Sequence, residues 1–536
     1  MNRACWSRRQ WLKILGAAGV SMSARPAIGV PAQPVRSYHV CLSPAIVESD
    51  PGLLDTVRQA GVGAVWLAGY FYGHRPYADD LLRRARSSVE RAGMAAQLIT
   101  IPLGHPGDSL GARDGDFPLT PPAHWRTAQR PDGQTFVGTS LHEPATGENA
   151  TALGHLRGFG FRECFLDDDF RLARGPGEIG GCFCAAHRTR FLESGGYAPR
   201  QWDELLEDVA ARRLTSLLRS WVEFTGDELS GSFRSQQRAF RGDLGVMVMY
   251  LGAEKAGLRL KDYRRVPFRV GELMFDDASF GSPKGKTDEL FSVLFHRRFA
   301  RPERAFSETT AYPADRLSAR NLAAKLVVST LADVRHTMFM SGLTPFAREH
   351  WAVLAPGMRR QAALHALIAG HRPRGPFKHH WGEPERLVGD DRPFSLWLAA
   401  GVPFEVVERP ASDGWTFLSD FDARELPSRR GGDGARLVCR SSARVRPGGA
   451  AEVGESLAEV FAFKQRIRGQ LRDVPHVEED HPAVCAWYPT AGRVVVWNLE
   501  EQARELTVVQ GARRFALALG PLEAGSVECP KSGPKR

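Results

Sequence analysis

The sequence predicts an α/β chain built on a (β/α)8 barrel. Three observations carry this. Eight short β-rich runs occur at residues 38–43, 64–70, 96–102, 163–169, 244–251, 269–275, 304–309 and 335–340. Between them lie amphipathic stretches at 51–60, 79–93, 201–224, 288–300 and 319–331, whose apolar positions recur at helical spacing. Carboxylates, aromatics and histidines gather at the ends of the runs, where a barrel keeps its functional groups. A doubly wound sheet is the alternative, but no Gly-x-Gly-x-x-Gly follows the first run to support a dinucleotide site.

The 536 residues, 43% apolar and 25% charged, suffice for two or three globular domains and exclude a disordered or fibrous class. The net charge of +10 comes from arginines scattered through acid-rich helices (Arg212, Arg213, Arg219) with no compact basic block beside aromatics, so no nucleic-acid partner is expected. Residues 1–36 read as a twin-arginine signal peptide and linker: Arg8-Arg9 precedes a short apolar run at 14–20 and small residues to Ala27. That run is too short to span a bilayer, which predicts export to the periplasm or beyond without a membrane anchor. Of eight cysteines, Cys5 lies in the signal; the other seven lack the regular spacing of a disulfide framework.

The barrel is expected over residues 37–372. A small α/β, flavodoxin-like domain follows at 373–475, with a helix starting near Asp390, strands at 401–407, 415–418 and 437–439, and a helix at 456–471. Cys439 lacks the flanking glycines of a nucleophile elbow. From 476 to 536, short alternating strands at 483–488, 493–499, 505–509 and 514–519 predict a β-sandwich.

The chemistry concentrates at the strand ends. Run four ends in Asp167, Asp168 and Asp169, and a Gly-rich loop then delivers Cys182, Cys184 and His187, two thiols and an imidazole at metal-ligand spacing. Run two leads into Tyr70, Tyr72 and His74, run three into His105, run six into Asp276 and Asp277, and run seven into Glu308. Aromatics beside carboxylates and histidines suit a carbohydrate, whose faces stack on rings and whose hydroxyls bond to charged acceptors. A structural Zn²⁺ on Cys182, Cys184 and His187 is expected, with His105 as the best candidate for a fourth ligand. No organic cofactor is implied.

The stretch Leu166-Asp167-Asp168-Asp169-Phe170, followed by Cys182-Phe183-Cys184, resembles the fourth-strand region of the family 42 glycoside hydrolases, bacterial β-galactosidases of the retaining (β/α)8 clan. That family has an Asp-Asn-Glu-Tyr strand end and then a Cys-Phe-Cys-x-x-Cys metal loop. The domain order of barrel, α/β trimerisation-like domain and β-sandwich is similar too, and admits a homo-oligomer. The resemblance implies that Asp169 stands in for the acid/base Glu, one methylene shorter, that His187 replaces the third Cys ligand, and that Glu308 is the nucleophile. Retaining hydrolysis needs two carboxyl groups roughly 5–5.5 Å apart across the anomeric carbon, which strands four and seven of a barrel can present. Strand alternation places Asp167 and Asp169 on one face and Asp168 on the other, with Asp167 and Asp168 tuning or binding. Two other functions compete: a carbohydrate-binding barrel without turnover, permitted by the missing Glu, and a metal-dependent hydrolase, which no His-x-His or His-Glu-x-x-His pair supports.

Overall fold

The computed structural model describes residues 36–104, 121–167, 170–173, 175, 177–271, 274–426 and 436–529. Residues 1–35, where a signal peptide is expected, and His105, Asp168 and Asp169 lie outside them. Eight parallel strands close into a barrel: β1 (Ser37–Leu42), β2 (Ala64–Phe71), β3 (Ala95–Ile101), β4 (Glu163–Leu166), β5 (Asp243–Met249), β6 (Phe268–Gly271), β7 (Ala305–Thr310) and β8 (His336–Met340). All eight overlap the expected runs. Outward residues such as Val65, Leu67, Leu98, Leu244 and Val246 pack beneath the helices, while Trp66, Phe165 and Phe306 point into the lumen. The rings of Trp66 and Phe306 lie 4.7 and 5.0 Å from that of Phe165 and plug the lower barrel. Trp66 Nε1 donates to His39 Nδ1 at 3.0 Å, and burial, with His336 nearby, lowers His39 to about 3. His39 is therefore neutral, with its remaining Nε2–H facing Ser37 Oγ at 2.7 Å.

The expected single helix at 201–224 is two, Gln201–Ala211 and Ser216–Phe240. Arg212, at φ +50°, ends the first in the left-handed region, and the Thr215 side chain caps the second by accepting from Leu218 N.

The second domain is a parallel sheet in the order β10-β9-β11-β12-β13, formed by β9 (Phe377–His380), β10 (Phe404–Val407), β11 (Trp415–Phe417), β12 (Arg436–Arg440) and β13 (Ala451–Val453). In a sheet of this flavodoxin-like order, ligands bind at the switch point, here between the carboxyl ends of β9 and β11. Asp422 fills that point: its carboxylate accepts from the Gly382 and Glu385 amides at 2.9 and 3.4 Å. Cys439 is buried within β12, and burial, then Asp420, pushes its thiol up to about 11, so it is no nucleophile. The last domain pairs two antiparallel sheets, β14 (His476–Val477) with β17 (Arg504–Gln510) and β18 (Arg513–Leu519), and β15 (Ala483–Tyr488) with β16 (Arg493–Asn498) and β19 (Ala524–Glu528). No described helix is long and apolar enough to cross a membrane. All seven described cysteines are free.

Barrel and second domain are joined through buried charge. Lys255 Nζ, fully buried in the connection after β5, donates to Gly389 O at 2.9 Å and Asp391 Oδ1 at 2.5 Å, and Arg212 donates to the carbonyls of Val388, Gly389 and Gly177. Lys255→Met is expected to cost about 3–5 kcal/mol of unfolding free energy, because Asp391 would stay buried and unpaired. Urea unfolding measures this, and a loss below about 1 kcal/mol would show the pair to be dispensable.

Candidate active site

Asp167 directly follows β4, with its amide donating to Thr100 O at 2.7 Å, and its carboxylate turns into the lumen with only 1% of the residue exposed. Inward placement matches the alternation expected from Phe165. There it forms an ion pair with Arg269 of β6. The same guanidinium nitrogen lies 3.9 Å from Glu308 Oε2 on β7, and Thr310, two residues on, donates its hydroxyl to Glu308 Oε1 at 2.6 Å. Glu308 is 4% exposed. Thus one buried cation bridges two carboxylates contributed by strands four and seven.

Arg269 was not foreseen as a site residue. In Phe268-Arg269-Val270 it is the charged member of an apolar run, at the inward position. Its guanidinium lies among thioethers, 2.8 Å from Met338 Sδ and 2.9 Å from Met247 Sδ, and over the Phe165 ring at 5.5 Å. Burial lowers its pKa, while Glu308, and after it Cys41, raise it. An arginine stays charged under such pressure, so a fixed positive charge underlies both acids.

The other expected site residues divide. A bulge between Ala68 and Phe71 breaks the register of β2 against β3. Tyr70 therefore turns outward into the helix-covered core, 4% exposed, which corrects its expected role as a sugar platform. Tyr72, at φ +51°, is fully buried in the lumen cluster and shows no open face for stacking. His74 lies in the following turn, partly exposed. Strand β6 ends at Gly271, so Asp276 and Asp277 fall beyond it. Asp276 caps the turn 277–280, accepting from Ser279 N at 2.7 Å, and Asp277 Oδ1 accepts from Ser318 N and Asn321 Nδ2 at 2.9 and 2.8 Å. Both acids thus serve as local caps.

The Cys loop is held against the long helix Ser216–Phe240. Gly181, at φ +117°, lets the backbone pass Trp221 so closely that a Cβ would lie 2.5 Å from the indole, and Trp221 Nε1 donates to Gly180 O at 2.9 Å. Cys184 and His187, at the start of the helix Ala185–Gly195, meet a residue not foreseen, His142, in the β3–β4 connection. The ligating atoms of these three lie within 4.8 Å of one another, with Cys184 Sγ 3.2 Å from His187 Nδ1 and 3.5 Å from a His142 ring nitrogen. Cys182 accepts from Ser140 Oγ at 3.4 Å and bonds to His187. Burial opposes a thiolate there, but the His187 bond, then Ser140, bring Cys182 down to about 6. His187 rises to about 10 against burial, through its bonds to Cys182 and Glu228. Burial, then repulsion from His187, lowers His142 to about 4. Glu228 Oε2 stands 3.6 Å from His187 Nε2, on the side away from the thiols, as an orienting carboxylate does behind a metal-bound imidazole. One thiol and two imidazoles so disposed suit three positions of a tetrahedral ion of the zinc type, whereas Cys182, expected as a ligand, stands beside His187 and outside that close set of three.

No known family's sequence pattern matches the chain, and no curated protein sequence does. Solved structures do. Gan42B, a GH42 β-galactosidase from G. stearothermophilus, superposes as its catalytic mutant with TM-score 0.58 at 9% identity, over 93% of this chain and 98% of its own. A second Gan42B structure gives 0.53 at 10% identity, over 93% and 99%. The α-L-fucosidase isoenzyme 2 from Paenibacillus thiaminolyticus gives 0.53 at 8% identity, over 92% and 98%. The fold is that of these glycoside hydrolases. Almost the whole length of each aligns, so the likeness includes the domains after the barrel.

Proposed function

We propose that the chain is a glycoside hydrolase of the two-carboxylate, retaining type, exported by its twin-arginine leader. The observation that carries this is Glu308: a buried carboxylate at the upper end of barrel strand seven, oriented by Thr310 and facing a fixed cation. A carboxylate held in this position can attack a carbon bound at the barrel mouth. Asp169, two residues beyond Asp167 in the sequence, is the acid/base in this reading. It protonates the leaving oxygen while Glu308 attacks the anomeric carbon, then activates the water that releases the sugar. Asp167, paired to Arg269, is the structural anion of the site.

The likeness to a β-galactosidase and a fucosidase sets the first substrates to test. Aryl β-galactosides and aryl α-L-fucosides should head a panel followed through the anomeric NMR signal of the first product. Turnover with retained configuration supports the reading; inversion replaces the nucleophilic role of Glu308 with general-base catalysis. Binding of sugars without turnover of any of them makes the barrel a binding module instead.

A structural Zn²⁺ on Cys184, His187 and His142, with Cys182 moving in as the fourth ligand, belongs to the same proposal. When bound, it would tie the β3–β4 connection to the loop beside the mouth. Cys182 and Glu228 favour a proton on His187, and an imidazole must give up that proton to bind an ion. Adding Zn²⁺ to chelator-stripped protein at neutral pH should therefore release protons into weak buffer, and binding should weaken as pH falls. Cys184→Ser is expected to lower bound metal from about one equivalent to below about a tenth. A full equivalent retained by Cys184→Ser would remove the ion from this cluster.

A further inference from the structure

A second charged site lies at the opposite end of the barrel from Glu308. The segments after the helices Pro283–His296 and Ala319–Leu331 meet the chain entering the second domain, and together they line a cleft of about 550 Å3 including its open mouth. Four guanidinium groups, Arg297, Arg298, Arg372 and Arg374, face only two carboxylates there, Asp333 and Glu405. Both acids are already neutralised. Asp333 takes Arg297 at 3.1 Å and His365 at 2.9 Å; Glu405 takes Lys378 at 2.9 Å and Arg374.

What remains is cationic. Arg298 Nη2 reaches Glu408 at 2.6 Å, but its Nη1 is buried with no hydrogen-bond partner. Arg372 stands exposed at the rim and pairs with no acid among the described residues. Burial first, then repulsion from Arg372 and Arg386, pushes the Arg298 guanidinium down to about 10. A guanidinium nitrogen left buried without a hydrogen-bond partner is costly, and the planar fork of arginine matches tetrahedral oxyanions.

The geometry points to this cleft as a binding site for a phosphate or sulfate group, with Arg298 Nη1 as the inner donor and Arg372 closing over the anion. This rests on the fold and stands apart from the glycosidase reading. A ligand that binds only the folded state raises the melting temperature with the logarithm of its concentration. Inorganic phosphate should therefore raise the melting temperature of the full chain stepwise, beyond sodium chloride at matched ionic strength. Arg372→Gln and Arg298→Gln should each weaken the apparent affinity about tenfold, the loss of one charge-assisted bond. Because Arg372 is exposed, its variant decides the matter if Arg298→Gln does not fold. A glucose 6-phosphate arm identifies the source: equal affinity assigns the free anion, and tighter binding assigns a group carried on a carbohydrate. No rise beyond chloride, or a rise undiminished in Arg372→Gln, overturns the site.

Discussion

Glu308→Gln is expected to lower turnover by on the order of 10³-fold or more while leaving folding and sugar binding close to native. The amide keeps the volume of the side chain and an oxygen that can accept from Thr310, whose hydroxyl lies 2.6 Å from Oε1 in the native site. It removes the negative charge that attacks carbon. Single-turnover kinetics on activated aryl glycosides, with binding measured in parallel, separates the two effects. Asp169→Asn serves as the contrast: it should impair poor leaving groups far more than activated ones, which need little protonation. A Glu308→Gln enzyme that keeps more than about a few per cent of its rate overturns the assignment. Asp276, beyond strand six, is occupied as a cap, so Asp276→Asn should cost stability at the turn and leave the rate unchanged.

The barrel was legible because its signals are local. Val65-Trp66-Leu67-Ala68 and Phe306-Ser307-Glu308-Thr309 are short β-rich runs, and the helices between them repeat apolar residues at helical spacing. What escaped depends on distant contacts. Phe377-Lys378-His379-His380 reads as a polar stretch, yet it is the interior strand β9, because the fold buries all four residues and gives Lys378 the carboxylate of Glu405. The bulge that turns Tyr70 out of the lumen leaves no mark in the alternation of its run. The Cys-x-Cys-x-x-His spacing exposes three donors that share one loop, whereas His142 joins them only when the β3–β4 connection folds back, and Glu228 comes from a helix further on. The same holds for the active site. Glu308 announces itself as an acid ending a strand, but Arg269 is visible only as a charge at an apolar, inward position, whose partners lie about 40 and about 100 residues away along the chain.

Arg269→Met is the sharpest test of that cation. The substituted side chain is apolar and unbranched and would enter a cluster already built of Met247, Met338 and Met340, so packing is largely kept. The charge is not: Asp167 and Glu308 would face each other across the lumen without a counter-ion. Two consequences follow from the sign of the interaction. Stability should fall by about 3–5 kcal/mol at neutral pH, as when one partner of a buried pair is removed, and part of that loss should be recovered at low pH, where protonation relieves the unpaired acids. The acidic limb of the kcat/KM profile should move to higher pH, because removing a nearby positive charge makes a carboxylate harder to ionise. A residue that only fills space would lower stability without moving that limb. Asp167→Asn provides the converse. It removes a competing acceptor while leaving Arg269 with Glu308, so the limb should stay or move to lower pH. An Arg269→Met enzyme with an unshifted profile would show that Glu308 is held ionised by something other than the arginine beneath it.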